Sequence, residues 1–230
     1  MWRTEDAGAD RIYTEDRETI AQLGAQGMKH VGIVVVTALS LCVWVRAANP
    51  QVDSVSTALT ERGQVKVSGR EVAYVIHRLP VSSFPQLPVS IAESLEKQGC
   101  LIPQTYEAHR PENVVQASLE SAGSSDWAVL CSSGGTVKLM VFFGSAPESS
   151  TVLVSEPETA RMETHDLSGV LGFAWGIDPA SPRKVHEAQT LMKHHQPMLD
   201  HDALADSFVE KATVYRYFSK DTWKVVETSD

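Results

Sequence analysis

Asp126-Trp127-Ala128-Val129-Leu130-Cys131, Ser132-Ser133-Gly134-Gly135, then Thr136-Val137-Lys138-Leu139-Met140-Val141-Phe142-Phe143 is the stretch on which the fold turns. Two apolar runs rich in β-branched and aromatic residues flank a Ser/Gly turn signal, which reads as a β-hairpin. In the second run Val137, Leu139, Val141 and Phe143 share one face, and Lys138, Met140 and Phe142 share the other. After one lysine both faces are apolar. A strand covered on both faces belongs inside a sheet rather than at its rim, so this hairpin is the expected centre of the core.

Working towards the N-terminus, Cys100-Leu101-Ile102-Pro103 reads as a strand. A short helix precedes it. Ser90 and Glu93 have capping-box spacing, Ile91 and Leu95 share a face, and Gly99 stands where a left-handed C-terminal residue belongs. Three prolines between Leu79 and Pro88 predict an extended crossing segment. Farther back, Gln64–Val67, Ser68-Gly69 and Glu71–Leu79 admit two readings. Val72, Val75, Ile76 and Leu79 have helical spacing behind a Ser68/Glu71 capping pattern, but the β-rich composition and the turn signal favour a hairpin.

Towards the C-terminus, Thr151–Val154 and Val170–Trp175 read as strands. Ser181-Pro182 opens a helix expected to reach about His194, with Val185, Ala188 and Met192 as its apolar stripe. Asp202 is the expected cap of a further short helix carrying Leu204, Ala205 and Phe208. A closing hairpin spans Ala212–Phe218 and Thr222–Val226 about a Ser219-Lys220-Asp221 turn. The expected fold is α+β: a single domain with a mainly antiparallel sheet built from hairpins and two or three short helices.

Val31–Val45 is an uncharged apolar run of 15 residues, with Lys29 and His30 before it and Val45-Arg46-Ala47 after it. A spanning helix needs about 20 residues. A signal-peptide core needs fewer, with a small residue at the cleavage site, so a signal peptide cut after Ala47 is expected. The alternative is an uncleaved N-terminal anchor, the only route to a membrane that the sequence suggests. The 27 residues before Met28 carry three Arg against six Asp or Glu, a poor start for a signal, so Met28 rather than Met1 is the expected first residue. The resulting division is 1–47 leader and signal peptide, 48–63 linker, and 64–230 globular domain. Export implies a secreted or periplasmic location. Of the three cysteines, Cys100 and Cys131 lie in the mature part, and two cysteines in an exported chain most simply form one disulfide.

Gly99-Cys100-Leu101-Ile102-Pro103-Gln104, Asn113-Val114-Val115 and Asp126–Cys131 stand together with Asp200-His201-Asp202-Ala203-Leu204, Lys211-Ala212, Tyr217-Phe218 and Trp223. In these residues the chain resembles a group of uncharacterised exported bacterial proteins, over about Phe84 to Asp230. The resemblance implies export and a single domain, and no activity. Ser121–Asp126 has a fainter likeness to the calcium loop of integrin-type propellers. A single carboxylate falls short of the six or more oxygens calcium takes, however.

Function is narrowed mainly by exclusion. A net charge of −9 with no Lys/Arg cluster argues against nucleic acid as a partner. No Gly-x-Ser-x-Gly elbow, Walker loop or dinucleotide fingerprint occurs. Ser132 and Ser133 are explained by the turn, and Glu156 and Glu158 are expected on a solvated loop. His77, His109 and His165 stand isolated, and Trp175 between Gly172 and Gly176 suggests either a ligand groove or a core aromatic.

The one dense group of reactive side chains is His194, His195, Asp200 and His201, with Asp202 beside it. Imidazole and carboxylate suit zinc-like divalent metals. His186, two turns earlier, lies about 12 Å from His194 along a helix. His186-Glu187 begins a zinc-protease pattern that Thr190 breaks. The competing account has histidines complementing a helix C-terminus and aspartates capping the next helix. The expected role is a non-catalytic binding or structural one at the cell envelope, with an unknown protein or small ligand as partner and no cofactor. The alternative is a metal-binding protein or metal-dependent hydrolase built on His194–Asp202.

Overall fold

The computed structural model describes residues 59–164, 167–190 and 197–226, all within one unit spanning Pro50–Asp230. The expected leader, signal peptide and Met28 start lie outside the described residues, as do His165, His194 and His195. In chain order the first elements are β1 (Leu59–Val67), β2 (Arg70–Pro80), α1 (Val89–Lys97), β3 (Leu101–Gln104), β4 (Val114–Ala117), β5 (Asp126–Ser133) and β6 (Thr136–Phe142). Then come β7 (Ser150–Pro157), β8 (Met162–Thr164), β9 (Leu171–Phe173), β10 (Trp175–Ala180), α2 (Pro182–Ala188), β11 (Ala203–Phe208), β12 (Ala212–Ser219) and β13 (Thr222–Val226).

The β5–β6 hairpin is as expected. Ser133 pairs with Thr136 across Gly134 and Gly135, whose φ angles of 59° and 78° give the two-residue turn that matches strand twist. Its two faces feed two different cores. Trp127, Val129, Cys131, Met140 and Phe142 pack with Ile91 and Leu95 of α1. Ala128, Leu130, Val137, Leu139 and Val141 pack with Trp175, Ile177 and Leu204 of a second sheet. That sheet is β10-β11-β12-β13, antiparallel throughout, and its far face holds Ala203, Ala205, Tyr215 and Tyr217 against Val185 of α2. The layers therefore run α1, large sheet, small sheet, α2.

The large sheet has nine strands, in the order β7-β6-β5-β3-β2-β9-β8, with β1 also on β2 and β4 also on β5. Two of its strands have an edge shared by two partners. On β5, β6 fills one edge, while Val129 faces Val114 of β4 and Ser132 faces Leu101 of β3 along the other. On β2, β1 fills one edge. The other takes Gly172 of β9 opposite Val75, and then Gln104 of β3 opposite His77.

The chain is thus β-rich, and four expectations need correction. The large sheet is mixed rather than purely antiparallel, because β2 and β9 run parallel beside its antiparallel pairs. The helix expected after Asp202 is strand β11. Its six residues are too few to sustain a helix alone, and both its edges are taken by β10 and β12. Two α-helices therefore stand among the described residues. Ser90 caps nothing: α1 begins after Pro88, and Ser90 lies inside it. Its other end is as read, since Gly99 (φ 68°) bonds to the Glu96 carbonyl and Cys100 to that of Leu95, a Schellman closure. Finally, Leu59–Gly63, expected in the linker, belongs to β1, paired residue for residue with β2 up to Arg78.

That helix end delivers Cys100 to the start of β3, where it forms a disulfide with Cys131 of β5, Cα to Cα 5.2 Å. Both cysteines are buried.

Candidate functional site

Of the His/Asp group, Asp200, His201 and Asp202 lie among the described residues. α2 ends at Ala188, well short of His194. His201 Nδ1 lies 2.6 Å from Asp200, and its Nε2 lies 2.9 Å from the Phe218 carbonyl oxygen. Both ring nitrogens thus face oxygen acceptors. The hydrogen bond from His201 holds the exposed Asp200 carboxyl below its usual range. Asp202 caps no helix. Its backbone N–H donates to the Ser118 carbonyl (2.9 Å), and its carboxylate accepts from the Ser118 N–H (3.2 Å). Among the described residues no three His, Cys, Asp or Glu converge as a metal set.

Buried polar groups missed in the sequence reading are fully engaged in holding the fold. Glu158 is no loop surface residue: it is 3% exposed, and Arg78 donates to it twice, at 2.9 and 2.6 Å. Ser132 also donates to Glu158. A third Arg78 nitrogen reaches Glu61 at 2.9 Å, to which the Tyr74 hydroxyl donates as well. The Tyr74 hydrogen bond, with Arg78 behind it, pulls the Glu61 carboxyl down, and Glu61 in turn pushes Tyr74 up. Glu156 pairs with Arg161 at 2.7 Å.

Asp126, fully buried, accepts from the N–H groups of Leu119, Glu120 and Gly144 and from the Ser124 hydroxyl. Its oxygens are committed to closing loops. Trp175 is a core aromatic rather than a groove wall. It is wholly buried, donates to Asp206 at 2.6 Å, and carries the Arg161 guanidinium 4.2 Å above its ring.

What remains open is a cleft of about 320 Å³ at the break between β9 and β3 along β2. Its floor is set by register. Arg62 stands opposite Val75, Val75 opposite Gly172, and His77 opposite Gln104, so these side chains share one face of the sheet. Tyr106, just beyond β3, and Val170, just before β9, form its sides. The Tyr106 N–H donates to the Phe173 carbonyl, clamping the two strand ends.

His77 Nδ1 is 3.0 Å from the Thr60 hydroxyl. Gln104 is committed to the 105–113 loop through Glu112. The Tyr106 hydroxyl donates to Glu210 at 3.0 Å. Desolvation first, and that bond second, push its pKa up to about 12. The Tyr106 hydroxyl is therefore spent on Glu210, while the residue lines the cleft. A crevice where a strand changes neighbours, with mixed apolar and polar walls, is a usual place for a small ligand.

No sequence motif marks this site. Val75 and His77 are two apart on one strand, but Arg62, Gln104, Tyr106 and Val170 join them only through long-range pairing. Two further clefts stand among the described residues, each with more polar walls. One, of about 350 Å³, lies between β4 and β10 over Glu112, Gln116 and Asp178. The other, of about 380 Å³, is bordered by Asp200, His201, Lys220 and Lys224. No family model matches the chain, and neither a curated protein nor a solved structure matches it.

Proposed function

We propose that the chain is an exported, disulfide-linked domain with a non-catalytic binding role in the cell envelope or outside the cell, and that the cleft on β2 is where it binds. The observation that supports export is the Cys100–Cys131 bond, buried between β3 and β5, because such bonds form and persist in oxidising compartments. The apolar run Val31–Val45 before a small-residue site is the matching address signal. Binding rather than chemistry is favoured by how the reactive groups are spent. Glu158, Asp126, Asp206 and Ser132 are engaged in structural bonds, and the cleft offers recognition groups on a rigid sheet face.

The test is fractionation of a bacterium expressing the full chain, with and without the 31–45 run. The proposal expects the intact chain outside the cytoplasm and the deleted one inside. Equal cytoplasmic retention of both would overturn it.

A further inference from the structure

We propose that the cleft on β2 takes a small monocarboxylate with a compact apolar body. This deepens the binding role proposed above and rests on it. The argument begins with charge. The chain carries an excess of acid, and Arg78, Arg161 and Arg216 are each held by a carboxylate. Among the described residues Arg62, at the cleft, has no such partner, and neither Asp nor Glu lines the cleft. His77 stands two residues along β2 from Val75, which faces Arg62, and Thr60 engages only its Nδ1. A guanidinium and an imidazole on one sheet face, with no acid among the described residues between them, are suited to an anionic oxygen pair.

The neighbourhood limits that anion to one charge. Glu210 accepts the Tyr106 hydroxyl, and Glu107 and Glu163 also act on that tyrosine. Lys211 neutralises Glu163, but Glu107 and Glu210 would repel a second negative group at that end. The body of the ligand meets Val75, Val170, the Tyr106 ring and the bare backbone of Gly172, which is an apolar surface. A volume of about 320 Å³ sits at the low end of ligand sites and fits a body of one ring or a short branched chain.

The probe is benzoate, with benzamide as the neutral compound of the same shape, titrated into the ¹⁵N-labelled domain. Saturable shifts of the Val75, His77 and Gly172 amides are expected with benzoate. Benzamide should bind about tenfold more weakly, and Arg62→Gln should lower benzoate affinity by about tenfold, the loss of one charge-assisted contact. Arg62 is exposed, so the variant's unchanged amide spectrum elsewhere reports that it folds. Tyr106→Phe keeps the ring and should keep binding.

Equal binding of the two probes, no effect of Arg62→Gln, or no saturable shift at these three amides would overturn the proposal. Shifts confined to the Asp200–Lys224 cleft would also overturn it, yet leave a binding domain standing. The export result is independent of all these outcomes.

Discussion

The large sheet is interrupted twice in the same way, and the two interruptions have opposite fates. On β5 the break between β4 and β3 is sealed. The Asn113 carbonyl accepts from Leu130 N–H at 3.0 Å. Its side chain donates to Pro103 (2.7 Å) and Trp175 (3.2 Å), and accepts from Ile177 N–H (3.0 Å). The next residue along β5, Cys131, is joined to Cys100. On β2 the break between β9 and β3 is left as a cleft, with the Tyr106–Phe173 backbone bond across it. A gap in strand pairing leaves polar backbone to satisfy. A buried gap must be filled by protein, and an accessible one can be left for a ligand. The sealed break is therefore expected to carry stability and the open one recognition.

The comparison breaks first at the disulfide. Replacing both Cys100 and Cys131 by alanine removes a bridge across 31 residues, which the chain-entropy argument values at about 3–4 kcal/mol. Urea unfolding should show a loss of that order, and a loss below about 1 kcal/mol would remove the sealed break from the stability account. Asn113→Gly comes next. Asn113 has φ 68°, which glycine adopts freely, so this variant isolates the hydrogen bonds from the backbone geometry. A cost of about 2–3 kcal/mol is expected, since buried partners including the Ile177 N–H lose their mate. An unchanged midpoint would mean that the seam is held by apolar packing alone.

At the open break, Arg62→Gln and His77→Gln should each change stability by less than about 0.5 kcal/mol, as exposed substitutions do. A larger cost would make the cleft a structural element. The smallest effect sharpens the same contrast through pH. Tyr106 is raised to about 12 in the folded chain, so between the ordinary tyrosine value of 10.0 and that value the unfolded chain gives up a proton that the folded chain keeps. Stability should fall as pH rises through this window, and Tyr106→Phe should make the fall shallower. A fall of identical depth in the variant would assign it to other groups, Tyr74 and Tyr215 among them, which are raised in the same direction.

What the sequence showed was apolar and local. The β5–β6 hairpin, its burial on both faces, the Gly99 closure of α1, the terminal hairpin and the cysteine pair were legible because each depends on period, turn chemistry or simple counting. Polar and distant features were not. Glu158 looks like a loop acid until β7 brings it to Arg78, 80 residues away. Ala203–Phe208 reads as a helix in isolation and is a strand because β10 and β12 flank it. β4 and β8, four and three residues long, carry too little pattern to be seen. The cleft depends on three strand registers at once, and no local rule supplies those. Charge density drew attention to His194, His195, Asp200 and His201 instead. Asp200 and His201 are bonded to each other, and His194 and His195 lie outside the described residues.

The most direct test of the account is the intact mass of the chain recovered from the compartment to which a bacterium delivers it, taken without reductant and again after reduction and thiol labelling. An exported, disulfide-linked domain predicts a first residue of Ala48, no labelling before reduction, and two labels after it. A chain that still carries its first 47 residues, with Cys100 and Cys131 free to react at once, would contradict it.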